Sequence, residues 1–323
     1  MVKTSSDKPF PTIVLAGGHK NIRLHDIANF FTDMYRYREH YLPMGSYKTT
    51  REIEGTINDQ PGRYPLILFL LNTLCRTPSI GKVKIIGPKP ELETALDKAN
   101  FPTSQFEIVA QGKSFGENIM LGYNAFGGNG HALLVMGDSP LTTVRSIENF
   151  IKLSQAYLDC DIILSVVKAA VLDDLARFMP RPYIRMRPEG LGPENYCQPI
   201  DLDKRGRIGV RLASLALTNL EGTTVEQIDH LRSLRKLIRP AVQRLIREDL
   251  GANILIQYRR GIPFTWLSKK FELLYGKSIQ VVGLSSAGTA IDVDSSADLR
   301  VITKILNYQR RRKQAKISNK PST

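Results

Sequence analysis

The chain has 323 residues, of which 42% are hydrophobic and 24% charged, a balance that excludes a largely disordered polypeptide and suits one large or two modest folded domains. The longest uninterrupted apolar run, Leu66 to Leu71, is too short to span a bilayer, and the first ten residues lack the apolar core of a secretory signal, so a cytoplasmic protein without membrane partners is expected. Three scattered cysteines, Cys75, Cys160 and Cys197, match neither a disulfide framework nor a zinc motif. The net charge of +14 is uneven: six cations with no acidic neighbour fall in residues 310–323, which reads as a solvated, disordered basic tail over 309–323. A second basic stretch, Arg232 to Arg247, interleaves charge with apolar residues at helical spacing, as a core-facing helix does, so nucleic acid is not the expected partner.

In chain order, a flexible segment over 1–10 precedes Thr12 to Leu15, a short buried strand that stops at Ala16-Gly17-Gly18. Glycines after a strand either close a loop or let backbone N–H groups approach phosphate oxygens. Leu24 to Tyr41 and Arg63 to Leu74 have helical apolar spacing. Lys82 to Ile86, Phe106 to Ala110, His131 to Met136 and Asp161 to Val167 read as strands, alternating with helices over Glu91 to Ala99, Ser114 to Ala125 and Val144 to Tyr157. That alternation predicts an α/β fold with a mostly parallel sheet covered on both faces. After Lys168 the prolines and glycines multiply, and extended pieces at Tyr183 to Arg187 and Ile208 to Leu217 suggest an inserted subdomain with antiparallel strands. Val225 to Leu250 reads as a helix split by Pro240, Phe264 to Tyr275 as a helix capped by Gly276, Ile279 to Val282 as a strand and Ala297 to Leu306 as a last helix.

Two acidic positions invite chemistry. Asp138 lies at the carboxyl end of a central strand, where ligands bind in open α/β sheets, and a carboxylate there suits Mg²⁺; it can equally cap the helix that follows Pro140. Asp292 and Asp294 form a second pair, either metal ligands or the cap of the last helix.

The order LAGG at Leu15 to Gly18, MGSYK at Met44 to Lys48, RYPLI at Arg63 to Ile67, GDSPL at Gly137 to Leu141 and AIDVDSSADL at Ala290 to Leu299 resembles the MobA-like nucleotidyltransferases, which have a Rossmann-like fold of the GT-A type. The resemblance implies a single domain over 11–308 with insertions at about 19–62 and 168–260. It implies that Leu15, Ala16, Gly17 and Gly18 wrap the nucleotide, with Asn118 and Gly122 beside the base. Lys48 would contact the phosphates, and Asp138 and Asp292 would hold Mg²⁺, with Asp294 structural. The family's lysine follows its glycines closely, whereas Lys48 comes thirty positions after Gly18, so Lys20 and Arg23 are alternatives for the phosphate contact. Arg181, Arg185 and Arg187 are candidates for an acceptor phosphate or simply a basic surface. The implied activity is transfer of a nucleotidyl group from an NTP to a phosphorylated small-molecule acceptor with release of pyrophosphate, in a protein that can be a homodimer. A GT-A glycosyltransferase and a non-catalytic nucleotide- or nucleic-acid-binding protein are the alternatives.

Overall fold

A computed structural model describes residues 9–17, 47–102, 104–176, 184–187, 208–229, 262–293 and 296–318. The predicted helix at 24–41, Gly18, Lys20, Arg23, Arg181, Asp294 and all of residues 230–250 lie outside the described residues.

The first strand, β1 (Phe10–Leu15), lies inside a nine-stranded sheet. It pairs in parallel with β4 (Ile80–Gly87) on one side and β6 (Ala132–Met136) on the other. β5 (Phe106–Ala110) extends the sheet beyond β4, again in parallel. Beyond β6 comes β9 (Ile208–Thr218), antiparallel to β6 and to β7 (Ile162–Lys168), and β11 (Ile279–Leu284) closes that side parallel to β7. The order β5-β4-β1-β6-β9-β7-β11 therefore has a single reversed strand, and the short strands β8 (Ile184–Arg187) and β10 (Ile262–Pro263) pair off the start of β9. The extended pieces expected after Lys168 are thus antiparallel strands joined to the main sheet.

The two-residue period of β1 explains how both faces are covered. Ile13 and Leu15 point to a cluster with Ile119 and Tyr123 of α3 (Phe115–Asn124). Val14 points to the opposite, larger core, which holds α1 (Leu66–Cys75) and Ile147, Phe150 and Ile151 of α4 (Val144–Ser154). Helix α2 (Lys89–Lys98) contributes Leu92 and Leu96 to that core, and α5 (Ala169–Ala176) and α6 (Phe264–Tyr275) follow β7 and β10.

Helix α1 is apolar around most of its circumference, with seven of its residues buried, because a further layer covers its outer side. That layer is an antiparallel hairpin, β2 (Glu52–Ile57) and β3 (Gln60–Pro65), turned at Asn58 and Asp59, both of positive φ. The sequence reading places Arg63 to Pro65 at the start of a helix; they finish β3 instead, and α1 begins at Leu66. Gly55 lies so close to the Phe69 ring that an added Cβ would fall 2.5 Å from it. The last helix, α7 (Ser296–Ser318), sends Ile302 fully into the same core, with Leu299, Ile305 and Leu306 beside it. It runs on through Arg310 to Ser318, so residues 309–318 are helical where a disordered tail is expected. The reason is local: the run contains no glycine or proline and lysine, arginine, glutamine and alanine are good helix formers. Among the described residues no helix is long and apolar enough to cross a membrane.

Candidate functional site

All the parallel strands end at one edge of the sheet, and Ala16, Gly17, Lys48, Asn118, Asp138 and Asp292 gather there. β1 leaves the sheet at Ala16-Gly17, held by bonds from Ala16 N–H to the Ile86 carbonyl at 2.8 Å and from Gly137 N–H to the Leu15 carbonyl at 2.9 Å. The side chain of Leu15 belongs to the core, so only its backbone reaches the edge. Gly17 faces two carboxamides: an added Cβ would stand 2.7 Å from Gln111 Oε1 and 3.1 Å from Asn118 Nδ2. Asn118 accepts a bond at Oδ1 from Gly112 N–H at 2.6 Å, which orients its Nδ2 as a donor beside the turn. Gly122 has a different job. It lets α3 lie directly on β1, since a Cβ would meet Ile13 Cγ2 at 2.5 Å, so it is a packing glycine one layer below the edge.

Lys48 opens a short 3₁₀ turn, Lys48–Thr50, and its Nζ forms an ion pair with Asp138 Oδ2. The pair exists because the next residue, Thr49, is buried and donates from Oγ1 to the carbonyl of Ala16 at 3.1 Å. Asp138 follows Gly137 after β6, and Gly137 approaches so closely that a Cβ would sit 2.9 Å from the Leu15 carbonyl oxygen. From the other flank, Val293 N–H donates to the main-chain carbonyl of Asp138 at 3.0 Å, which brings Asp292 to the same edge. Asp292 Oδ1 is in turn paired with Arg211 Nη2. Arg211 is on β9, opposite Val167 near the carboxyl end of β7. Because β9 is reversed, its beginning lies where its neighbours end, so an arginine early in that strand reaches the site.

Three contributors are absent from the sequence reading: Thr49, Gln111 and Arg211. Gln111 immediately follows β5, and Arg211 is a lone charge inside the apolar run Ile208 to Thr218; both features are visible in the sequence as signals of a site. Thr49 has no such signal, because its role depends on a contact across 33 positions.

The residues suit a hard divalent cation in part. Among the described residues no group of three or more histidines, cysteines or acids could hold a metal by itself. Two carboxylates, Asp138 after β6 and Asp292 after the 3₁₀ turn Ala287–Ala290, are nevertheless linked through Val293, and one or two carboxylates with substrate phosphates are the usual ligand set for Mg²⁺. Each carboxylate carries a protein cation, Lys48 or Arg211, so the charge at this edge is balanced internally. Among the described residues, burial pushes the Cys75 thiol above its ordinary value, and burial followed by Asp159 and Asp161 does the same for Cys160, so neither is poised as a thiolate.

The open sheet, its one reversed strand and the gathering of glycines, a lysine and carboxylates where the strands end describe a Rossmann-like α/β fold. No protein-family model and no curated protein matches the chain. Among solved structures it is similar to a hypothetical transferase from Thermus thermophilus, at 15% identity over 90% of this chain and 99% of that one, with a TM-score of 0.54. It is also similar to CMP:2-keto-3-deoxy-manno-octonic acid synthetase complexed with CTP, at 11% identity over 93% of this chain and 99% of that one, with a TM-score of 0.50. At such identities the likeness is one of fold.

Proposed function

We propose that this protein is a Mg²⁺-dependent nucleotidyltransferase acting on an NTP and an anionic, sugar-type or phosphorylated small-molecule acceptor. The observation that carries the reading is the meeting of Lys48 with Asp138 beside the Ala16-Gly17 turn, supported by the fold shared with a synthetase solved with CTP. The narrower MobA-like assignment rests on the motif order in the sequence.

In this reading the backbone at Ala16 and Gly17 and the amides of Gln111 and Asn118 line the nucleotide, and Lys48 leaves Asp138 for the phosphates. Asp138 and Asp292 are the residues that would hold Mg²⁺, which when bound neutralises the triphosphate and the departing pyrophosphate. An acceptor oxygen attacks the α-phosphorus as the bond to the bridging oxygen of the β-phosphate breaks, and pyrophosphate carries away that electron pair. The protein positions and neutralises, and it supplies no covalent nucleophile.

The test is pyrophosphate release from each of the four NTPs with Mg²⁺ and a panel of phosphorylated and sugar-acid acceptors. Turnover with one pair, lost in Asp138→Ala while the fold persists, is expected. Turnover retained in that variant rejects the assignment of Asp138.

A further inference from the structure

Four backbone donors around the start of α3 are spent on side chains, and three of the acceptors are local. Gly112 N–H donates to Asn118 Oδ1 and Lys113 N–H to Glu117 Oε2, both at 2.6 Å, and Glu117 N–H donates to the capping Ser114 Oγ at 3.0 Å. The fourth acceptor comes from far away in sequence: Gly116 N–H donates to Asp229 Oδ1 at 2.7 Å, across 113 positions. A carboxylate is a strong partner for such an amide, because it also meets the positive end of the helix dipole.

Asp229 is brought there by a helical turn of its own. After β9 the chain reverses at Gly222, which has positive φ, and Thr224 caps residues 225–229 through a reciprocal pair. Gln227 N–H donates to Thr224 Oγ1 at 3.3 Å, and Thr224 N–H donates to Gln227 Oε1 at 2.8 Å. Ile228 is buried in one cluster with Ile119 and Tyr123 of α3. The two backbones meet at Gly116, where an added Cβ would fall 2.6 Å from the Val225 carbonyl oxygen and 3.1 Å from Asp229 Oδ1. Glycine at 116 is the condition for that contact.

The bond bears on the glycine turn of β1. Asn118 is two residues beyond Gly116, and its Nδ2 is the donor that stands beside Gly17. Gly122 seats the middle of α3 on β1, while the first turn of the helix is fixed by its own bonds. Of the four acceptors only Asp229 lies outside 112–118, so it ties the turn that carries Asn118 to another part of the fold.

We propose that Asp229 is a positioning residue of the nucleotide site: by holding Gly116 it fixes the Asn118 carboxamide at the Gly17 turn, and so sets nucleotide affinity without touching the nucleotide. This rests on the nucleotidyl-transfer reading, in which Asn118 lines the nucleotide.

The experiment titrates ATP, CTP, GTP and UTP with Mg²⁺ into the full chain by calorimetry and carries the tightest binder into the variants. Asp229→Ala is expected to weaken it ~10-fold, as is Asn118→Ala. The decisive measurement is the double variant. If Asp229 acts through Asn118, Asp229→Ala adds less than ~2-fold to the loss already caused by Asn118→Ala, whereas independent effects multiply to ~100-fold. Asp229→Asn keeps an acceptor for Gly116 N–H and should restore affinity to within ~2-fold of wild type. Wild-type affinity in Asp229→Ala, or multiplying losses in the double variant, overturns the proposal. Should Asp229→Ala fail to fold, Asp229→Asn decides: a ~10-fold loss there overturns it as well. Failure of the parent reading looks different, because then none of the four nucleotides binds the wild type.

Discussion

Thr49 donates its hydroxyl to the carbonyl of Ala16, and this one bond fixes where Lys48 stands. Residue 48 returns to the turn after a long excursion of chain, and the buried threonine sets it beside Asp138. Thr49→Val keeps the shape but leaves that carbonyl without its donor, so the variant should lose about 1–2 kcal/mol in denaturant unfolding. If Lys48 serves the phosphates, NTP affinity measured by calorimetry should fall ~10-fold or less, with Lys48→Met falling further. Unchanged affinity in both variants removes Lys48 from the nucleotide site.

Glycines at the edge should separate fold from binding. In Gly17→Ala the added methyl meets the far end of the flexible Gln111 side chain and more distantly the oriented Asn118 amide, so unfolding free energy should change by less than ~1 kcal/mol while NTP binding weakens. Gln111→Ala added to Gly17→Ala should recover part of the binding. Gly288→Ala is the contrast: its Cβ would fall 2.2 Å from the Leu141 carbonyl oxygen, which cannot rotate away. It should cost about 1–3 kcal/mol and displace the turn that leads to Asp292. A Gly288→Ala protein as stable as wild type contradicts this account of the turn.

How much of this was legible in the sequence follows from the range of each interaction. Strands β1, β4, β5, β6, β7 and β11 and helices α2, α3 and α6 are found within a few residues of their expected limits, because each carries its own apolar period and its own stop signal. Ser114 caps α3 by accepting from Glu117 N–H at 3.0 Å, and Gly276 ends α6 at positive φ, both local chemistry. The hairpin 52–65 escaped, although Ile53, Gly55 and Ile57 alternate inward against Glu54: its second strand is Gln60-Pro61-Gly62-Arg63, which no strand propensity favours. The place of β9 between β6 and β7 escaped for another reason. Pairing partners far apart in sequence leave no mark on the strand itself, and Arg211 became a site residue only through that placement.

At the opposite edge of the sheet, Asp161 clamps the starts of β7 and β11. Its Oδ2 accepts from both Ser278 N–H and Ser278 Oγ at 2.8 Å, and its Oδ1 accepts from Lys277 Nζ at 3.2 Å. Burial raises its pKa, but the Ser278 bonds and Lys277 outweigh that, and the net shift is downward. A carboxyl depressed on folding contributes stability that is present above the unfolded value, about 3.9, and lost as pH falls through the lower folded value. Asp161→Asn should therefore be less stable than wild type at neutral pH, with the difference shrinking in acid below about pH 4. Unfolding curves from pH 7 to pH 3 check this, and a pH-independent difference contradicts it. Nucleotide binding should be untouched, since the clamp is a strand's length from the site.

Helix α7 divides into two parts with different consequences for truncation. Ile302 is fully buried, whereas Tyr308 is 61% exposed and Arg311 is exposed. Removing residues 309–323 should leave the melting temperature nearly unchanged. Ile302→Ala should cost about 2–5 kcal/mol, because it opens a cavity in the larger core where α7 packs on β2. A large destabilisation by the short truncation would place new core contacts in the basic half of the helix.

The reversed strand also imposes an order of assembly. β6 and β7 never pair with each other; the strand that separates them begins at Ile208, forty residues after β7 ends at Lys168. While the chain is being synthesised, β6 therefore waits with an open edge and β7 without any partner, until β9 slides between them in the only orientation that satisfies both. An apolar edge such as Ala132 to Met136 is a template for pairing between unfinished chains, so nascent protein halted before residue 208 should be the aggregation-prone species. The same insertion delivers Arg211, which means that the edge acquires its full set of charges only in the step that seals the sheet.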